Sequence, residues 1–436
     1  MNNATTKSAA ASSPVETSRV LEHLFRREAG RLVATLTRIF GIEHLALAED
    51  VVQEALVRAL RTWPFYGIPD NPSAWIMQTA RNLALDTVRR EKIFRDNQMR
   101  IISAMPMNQT GPDDPVFLDQ EIADDRLRML FVCCHPLLPP EAQVALALKT
   151  LGGLGIAEIS RAFLTTDAAI AKRLTRARQK IRKAKIPFEI PAVAELPRRM
   201  DGVLQTLYLL FNEGYKASSG EELVREELCR EAIRLTELLA EHPVGNQPIT
   251  HALLALMLLN TARLPTRRDD HGNILLLEDQ DRSRWDSAMI AKGLSHLVRS
   301  AAGQQITTYH CQAGIAACHC AAGDYPSTDW RKILLLYDRM LQFDHSPVVA
   351  LNRAVVLANV DGPQAGLAAV ASIEGLEKLE SYYLLYAVRG ELQKRSNNLA
   401  AAAVEFQTAL RLVGTESEKS FMMDRLRACM YNSGGE

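Results

Sequence analysis

The sequence predicts an all-α protein of several domains, and three observations carry that prediction. No segment alternates apolar and polar residues over the length of a strand. Between clusters of Pro and Gly, apolar residues recur every three or four positions, the period of a helix with one buried face. The composition suits helices, with 47% apolar residues rich in Ala and Leu and only 6% aromatics. A chain of 436 residues has room for about two to four domains.

The elements follow in order. Residues 1–18 are rich in Ala, Ser, Thr and Asn without an apolar stretch, which predicts a disordered tail and no signal peptide. Residues 19–62 keep helical periodicity without proline. Pro64, Gly67, Pro69 and Pro72 then predict a loop around Trp63–Asn71, and Ser73 is a candidate cap for a helix from Ala74 to about Arg95. Residues 19–100 thus form a first helical domain. Residues 101–119, with Pro106, Gly111, Asp113, Asp114 and Pro115, read as an acidic linker.

Helical pattern resumes near Gln120, breaks at Pro136 and Pro139, and restarts at Pro140 and Glu141. Gly152, Gly153 and Gly155 break it again before two short helices that end near Lys185, which closes a second domain over residues 120–186. Pro187, Pro191 and Pro197 mark another linker. Beyond it, residues 187–300 read as a helical extension and residues 301–436 as helical repeats. The longest strictly apolar run, Ala252–Leu259, is far short of the ~18 residues of a membrane span, and no membrane association is expected. Seven Cys without disulfide-framework spacing predict a reduced, cytoplasmic protein.

Charge divides the chain. There are 51 basic and 51 acidic residues in all, yet residues 1–186 hold 26 basic and 20 acidic ones, while residues 187–436 hold 25 and 31. The basic half keeps nucleic acid open as a partner despite a net charge of zero.

Within that half, Ile156–Phe163, Leu164–Thr166 and Asp167–Ile181 read as helix, tight turn, helix. Ile170, Leu174, Ala177 and Ile181 form one apolar stripe, and Lys172, Arg173, Thr175, Arg176, Gln179 and Lys180 lie off it. Residues 161–185 carry nine Lys and Arg against one acid, Asp167. Such a helix suits the major groove, where Arg reads guanine edges and basic residues neutralise phosphates; the alternative is a solvated basic face. Asp167 opposes phosphate unless it serves the helix start, and Ala168, Ala169 and Ala171 leave that start poor in polar side chains.

In Ala48–Leu60, Val51, Val52, Ala55, Leu56 and Ala59 face a core, while Asp50, Gln53, Glu54 and Arg58 form an opposite polar face. That face suits a protein partner or plain solvent. In Ala74–Lys92, Gln78, Arg81, Asn82, Leu85 and Arg89 share a stripe, with Trp63, Phe65 and Tyr66 just before it. Rings that stack, Arg that holds phosphate and Asn that reads an edge suit unpaired bases; the alternative is that the aromatics close the core.

These segments carry a resemblance. AEDVVQEALVRAL at Ala48–Leu60 resembles region 2.2 of bacterial sigma factors, SAWIMQTARNLALDTVRR at Ser73–Arg90 resembles regions 2.3–2.4, and Leu127–Arg182 is similar to region 4. Their order, with an acidic linker between, resembles the extracytoplasmic-function (ECF) class. The resemblance implies a partnership with core RNA polymerase through β and the β′ clamp helices, the latter gripped by Asp50, Gln53 and Glu54. It implies that Trp63, Phe65, Tyr66, Gln78, Arg81, Asn82 and Arg89 melt and read a single-stranded −10 element. Lys172, Arg173, Thr175, Arg176 and Lys180 would hold a double-stranded −35 element, and the linker would thread toward the polymerase cleft.

Near the end of the chain, Gly390, Ala402, Phe406 and Ala409 fall at tetratricopeptide intervals if a ~34-residue repeat begins at Tyr383. Gly323, Asp324 and Tyr325 fit the turn of an earlier unit, and DGPQAGL at Asp361–Leu367 fits the turn and second-helix start of a middle one. LYLLFNEGY at Leu207–Tyr215, EDQDRSRW at Glu278–Trp285 and DGPQAGL together resemble an ECF branch with a tetratricopeptide-like C-terminal extension. Glu213 and Trp285 are read as capping and core residues, with a groove as the alternative.

His310, Cys311, Cys318, His319 and Cys320 lack the spacing of a zinc knuckle, as do Cys133, Cys134 and His135, and no metal or cofactor is expected. No phosphate loop, HExxH or G-x-S-x-G motif is present, so the expectation is not an enzyme. The expected function is an ECF-type sigma factor with a fused helical half that regulates it in cis, either by contact with regions 2 and 4, covering the basic face of region 4, or by contact with polymerase directly. The alternatives are a helix-turn-helix regulator with a ligand- or peptide-sensing half, or a scaffold in which the repeats act.

Overall fold

The computed structural model describes residues 29–98, 119–163, 165–189, 197–215, 226–243, 245–267, 269, 274–414 and 416–431. The expected tail and almost all of the expected linker lie outside these residues. The described residues are helical and contain no β-strand. The chain forms two compact units that divide between Leu210 and Phe211.

The first unit opens with α1 (29–40), buried along most of its length. Gly41, at φ 91, allows a 3-10 turn at Ile42–His44 that leads into α2 (Leu45–Tyr66). Leu45, Ala48, Val51, Val52, Ala55, Leu56, Ala59 and Trp63 form the buried stripe of α2. The helix runs through Pro64 to Tyr66, so Trp63–Tyr66 is helix rather than the expected loop. Gly67, at φ 84, ends it. Next, α3 (Pro72–Gln98) starts earlier than expected because Asn71 rather than Ser73 caps it: Asn71 Oδ1 accepts from the Ala74 N–H at 3.1 Å. Ile76, Ala80 and Ala84 pack it onto α2.

The remainder of this unit comprises α4 (Asp119–Cys133), α5 (Pro140–Thr150), α6 (Ile156–Ala162), α7 (Asp167–Ala184) and the start of α8 (Pro197–Tyr215). All of α5 except Pro140, Glu141 and Lys149 is buried, since α4, α6 and α7 all pack on it. The unit extends past residue 186 because α8 seals onto these helices. Arg199 Nη1 donates to the Phe131 carbonyl at 3.2 Å, Thr206 Oγ1 lies 3.7 Å from Cys134 Sγ, and a Cβ on Gly202 would overlap Gln143.

The second unit continues through α9 (Glu226–Glu241), α10 (Pro248–Thr261), α11 (Ser287–Ser300), α12 (Thr308–Ala321), α13 (Trp330–Leu341), α14 (Pro347–Val360), α15 (Pro363–Ala371), α16 (Tyr383–Arg395), α17 (Leu399–Leu412) and α18 (Glu416–Tyr431). Each helix packs on its sequence neighbours. The apolar run Ala252–Leu259 lies in α10, which is buried on every face by α9, α11 and α12. Gly390 of α16 meets Phe406 of α17 so closely that a Cβ would stand 2.7 Å from the ring. Gly323, Asp324 and Tyr325 lie between α12 and α13, and Gly362, at φ 94, turns the chain from α14 into α15.

The segment EDQDRSRW forms a clasp. Trp285 is buried between the guanidiniums of Arg263 and Arg282, 5.3 and 5.2 Å from its ring, and its Nε1 donates to Thr266 Oγ1 at 2.8 Å. Arg282 donates to the carbonyls of His319 and Ala322 and to Thr328 Oγ1. Cys311 packs with Met340 and Val349, and Cys318 with Ile333 and Val356. Among the described residues no helix is long and apolar enough to cross a membrane.

Candidate nucleic-acid and polymerase interfaces

Helices α6 and α7 make the helix-turn-helix. Thr166 caps α7 by accepting from the Ala169 N–H at 3.3 Å, and the Ser160 hydroxyl bonds to the Asp167 carboxylate, which ties the two helices together. Asp167 thus serves the helix start, where a negative charge also complements the macrodipole. Ile170, Leu174, Ala177 and Ile181 are the buried residues of α7. Lys172, Thr175, Arg176, Gln179 and Lys180 are exposed.

Arg173 differs from its neighbours. Its Nη2 lies 2.9 Å from Glu141 Oε2 and its guanidinium 5.7 Å from the Phe163 ring centre. This pair links α7 to the start of α5. Thr175 Oγ1 donates to the Ala171 carbonyl at 2.9 Å and keeps only acceptor capacity toward solvent.

On α2, Asp50, Gln53 and Glu54 are exposed, and Glu54 pairs with Arg58 at 3.2 Å. Phe65 and Tyr66 stand out at the helix end, each 79% exposed. Trp63 does not join them. It is 1% exposed and meets Trp75 edge to face at 5.5 Å, so it closes the core and cannot stack on a base. On α3, Gln78, Asn82 and Arg89 are exposed, Arg81 is half-buried, and Gln78 Nε2 lies 3.5 Å from Asn82 Oδ1.

One constellation escaped the sequence reading. Glu49, next to Asp50, turns inward on the apolar stripe of α2. Its Oε2 lies 2.5 Å from Arg178 Nη2 of α7, and its Oε1 accepts from Thr150 Oγ1 of α5 at 2.9 Å. Burial pushes the Glu49 carboxyl above its ordinary value, opposed by Arg178, Thr150 and Lys149. Nearby, Arg38 of α1 pairs with the buried Asp125 of α4 at 2.8 Å, and Arg128 holds the same carboxylate at 2.8 Å. Burial raises Asp125 as well, against the pull of those two cations. The signal available in sequence was a lone Glu within the apolar stripe, four residues after Leu45 and three before Val52.

In the second unit a cavity of about 480 Å³ opens over α12–α14, α16 and α18, lined by Tyr325, Trp330, Asn359, Tyr383, Arg395 and Phe421 among others. The Tyr383 hydroxyl bonds to Glu418, and Tyr325 to Asn359. Trp285 lies in the core rather than in this cavity. Among the described residues no cluster of three or more His, Cys, Asp or Glu could hold a metal.

Comparison with known proteins agrees with this layout. Residues 24–93 match sigma-70 region 2, residues 128–181 match sigma-70 region 4, and residues 199–301 match a family of unknown function (DUF6596). An ECF RNA polymerase sigma factor, SigE of Mycolicibacterium smegmatis, is 29% identical over 163 residues, 37% of this chain and 60% of that protein. The ECF sigma factor SigK of Mycobacterium ulcerans is 29% identical over 154 residues, 34% of this chain and 80% of that protein. An uncharacterised protein of Rhizobium meliloti, R00370, is 39% identical over 399 residues, 90% of this chain and 92% of that protein. No solved structure matches the chain. The first unit thus carries matches to sigma-70 region 2 and then region 4, and is similar there to ECF sigma factors. The whole chain belongs to the family of the Rhizobium protein.

Proposed function

We propose that this protein binds core RNA polymerase and directs it to promoters as an ECF-type sigma factor acting in the cytoplasm. The observation that carries this reading is regions 2 and 4 in order on one chain, each presenting an exposed polar helix face. Asp50, Gln53 and Glu54 would dock on the β′ clamp helices by charge-assisted hydrogen bonds. Phe65 and Tyr66 would stack on unpaired bases of the −10 element while Gln78, Asn82, Arg81 and Arg89 read edges and hold phosphates. Lys172, Arg176 and Lys180, with Thr175 as an acceptor, would hold the −35 duplex. The factor has no covalent chemistry of its own.

The helical half after α8 acts as a tetratricopeptide-like regulatory domain. The close approach of Gly390 to Phe406 and the turn at Gly362 support that reading. Run-off transcription with purified core polymerase and a promoter recovered by genomic selection tests the main proposal. A promoter-dependent transcript is expected. If the protein shifts promoter DNA without core polymerase and forms no complex with core, it is a plain helix-turn-helix regulator.

A further inference from the structure

We propose that the cavity of the second unit is a binding site for a small aromatic carboxylic acid, with the ring held among Tyr325, Trp330 and Phe421 and the carboxylate anchored by Arg395. The inference concerns the second unit alone and stands apart from the sigma-factor reading above.

The cavity, at about 480 Å³, has the size that holds a molecule of drug dimensions. Tyr325, Trp330 and Tyr337 reach it from around α13, and Phe406 and Phe421 from α17 and α18. Tyr325 and Trp330 form a tilted pair with ring centres 4.8 Å apart, and His319 meets Trp330 edge to face at 5.5 Å. Such walls favour a flat ring, which gains offset and edge contacts in addition to burial.

The polar groups of the lining divide into those already engaged and those still open. Arg425 pairs with Glu391 at 3.4 Å, and the Tyr383 hydroxyl bonds to Glu418. Glu278, the third acid of the lining, is exposed and so is screened by water and salt. Arg395 differs. Among the described residues no carboxylate lies within ion-pair distance of it, and its Nη2 donates to the Ala358 carbonyl at 3.0 Å. The rest of its guanidinium fork is open to a planar carboxylate.

His319 adds a second open group. It lines the cavity at 8% exposure, and its Nδ1 has no hydrogen-bond partner. Burial, with Arg263 and Arg282 nearby, pushes it down to about 3, so the ring is neutral and carries one N–H and one lone pair. An N–H or hydroxyl on the ligand gives this imidazole a partner.

The space suits a small molecule rather than a peptide. Ile274, Leu276 and Leu277 of the chain itself line the cavity, and the Leu275 N–H among them bonds to the Arg267 carbonyl at 3.0 Å. A bound peptide pairs its backbone with open groups along a groove. Here the Asn359 amide is spent on the Tyr325 hydroxyl and the Val355 carbonyl, which leaves Asn352 as the open amide of the lining.

The test is calorimetric titration of the full chain at fixed salt with indole-3-acetate, which carries a flat ring, an N–H and a carboxylate, and with its neutral analogue indole-3-acetamide. Binding at one site per chain is expected, with the acid held about tenfold or more tighter than the amide, the worth of a charge-assisted pair. Arg395→Gln should bring the acid to the level of the amide. Its unchanged affinity for the amide would show that the variant is folded. Val355→Trp should fill the cavity and abolish binding of both, while Leu335→Trp, at an exposed position of α13, should bind as the wild type does. No uptake of the acid at about 1 mM, equal affinity for acid and amide, or full binding by Val355→Trp overturns the site. Uptake of a mixed hexapeptide pool without uptake of the acid makes the cavity a peptide groove and overturns it as well.

Discussion

Glu49 and Arg178, far apart in the sequence, meet at 2.5 Å as a carboxylate and a guanidinium with little access to water. Removing one member of such a pair leaves the other buried and unmatched, which costs about 3–5 kcal/mol in comparable settings. A double-mutant cycle with Glu49→Gln and Arg178→Gln, read by urea denaturation, should show a coupling energy of about 1–3 kcal/mol. Additive single effects would mean that the two side chains do not depend on each other.

The aromatic trio at the end of α2 should divide by role. Trp63→Ala removes a core ring packed on Trp75 and should lower stability by about 3–5 kcal/mol. Phe65→Ala and Tyr66→Ala should leave the urea midpoint unchanged and weaken binding to a single-stranded −10 oligonucleotide by about 1–3 kcal/mol each. A stability loss at Phe65 as large as that at Trp63 would contradict the exposure seen here.

On α7, Lys172→Ala and Arg176→Ala should weaken duplex binding at every salt concentration and lower the slope of log K against log salt by about 1 each. Arg173→Ala should leave the salt slope unchanged and lower thermal stability, since its guanidinium is held by Glu141 and Phe163. Titration of labelled promoter duplex against salt decides between the two patterns.

Gly390→Val should destabilise the second unit by about 1–3 kcal/mol, because the new side chain would drive into the Phe406 ring. Gly323→Val, where nothing lies within 4 Å of a Cβ, is the matched control and should be nearly silent. Thermal unfolding of the two variants side by side reads the difference.

The second unit should lose stability in mild acid. Burial, with Arg299 and His296 beside it, pushes His251 down to about 4; burial, with Arg263 and Arg282, pushes His319 down to about 3. Both are therefore neutral in the folded protein and take up a proton near 6.5 once unfolded. Their contribution is complete above pH 6.5 and falls as the pH drops toward 4 and then 3. The slope reaches about 1.4 kcal/mol per pH unit for each histidine. Urea midpoints at pH 7 and pH 5 should differ, and His319→Gln should flatten part of the trend.

Much of the architecture was legible in the sequence. The apolar stripe of α7, the turn before it, the small-residue approach at Gly390 and the turn at Gly362 all rest on local period and local backbone preference. The start of α3 was misread because Asn71 competes with Ser73 for the same cap, and only the backbone path shows which side chain reaches the open N–H. The loop assigned to Trp63–Tyr66 was misread because Pro64 sits inside the last turn of α2 without ending it.

The sequence by itself determined the helical class and the apolar stripes of α2 and α7, since those follow from spacing along one helix. Tertiary structure decided which polar and aromatic residues are free to act. Glu49 is buried while Asp50 is exposed, Arg173 is braced while Arg176 is exposed, and Trp63 is core while Phe65 is surface. Such close neighbours share nearly the same local signal. Their fates differ because burial depends on where a distant element comes to rest, and for Glu49 that element is α7, more than a hundred residues away.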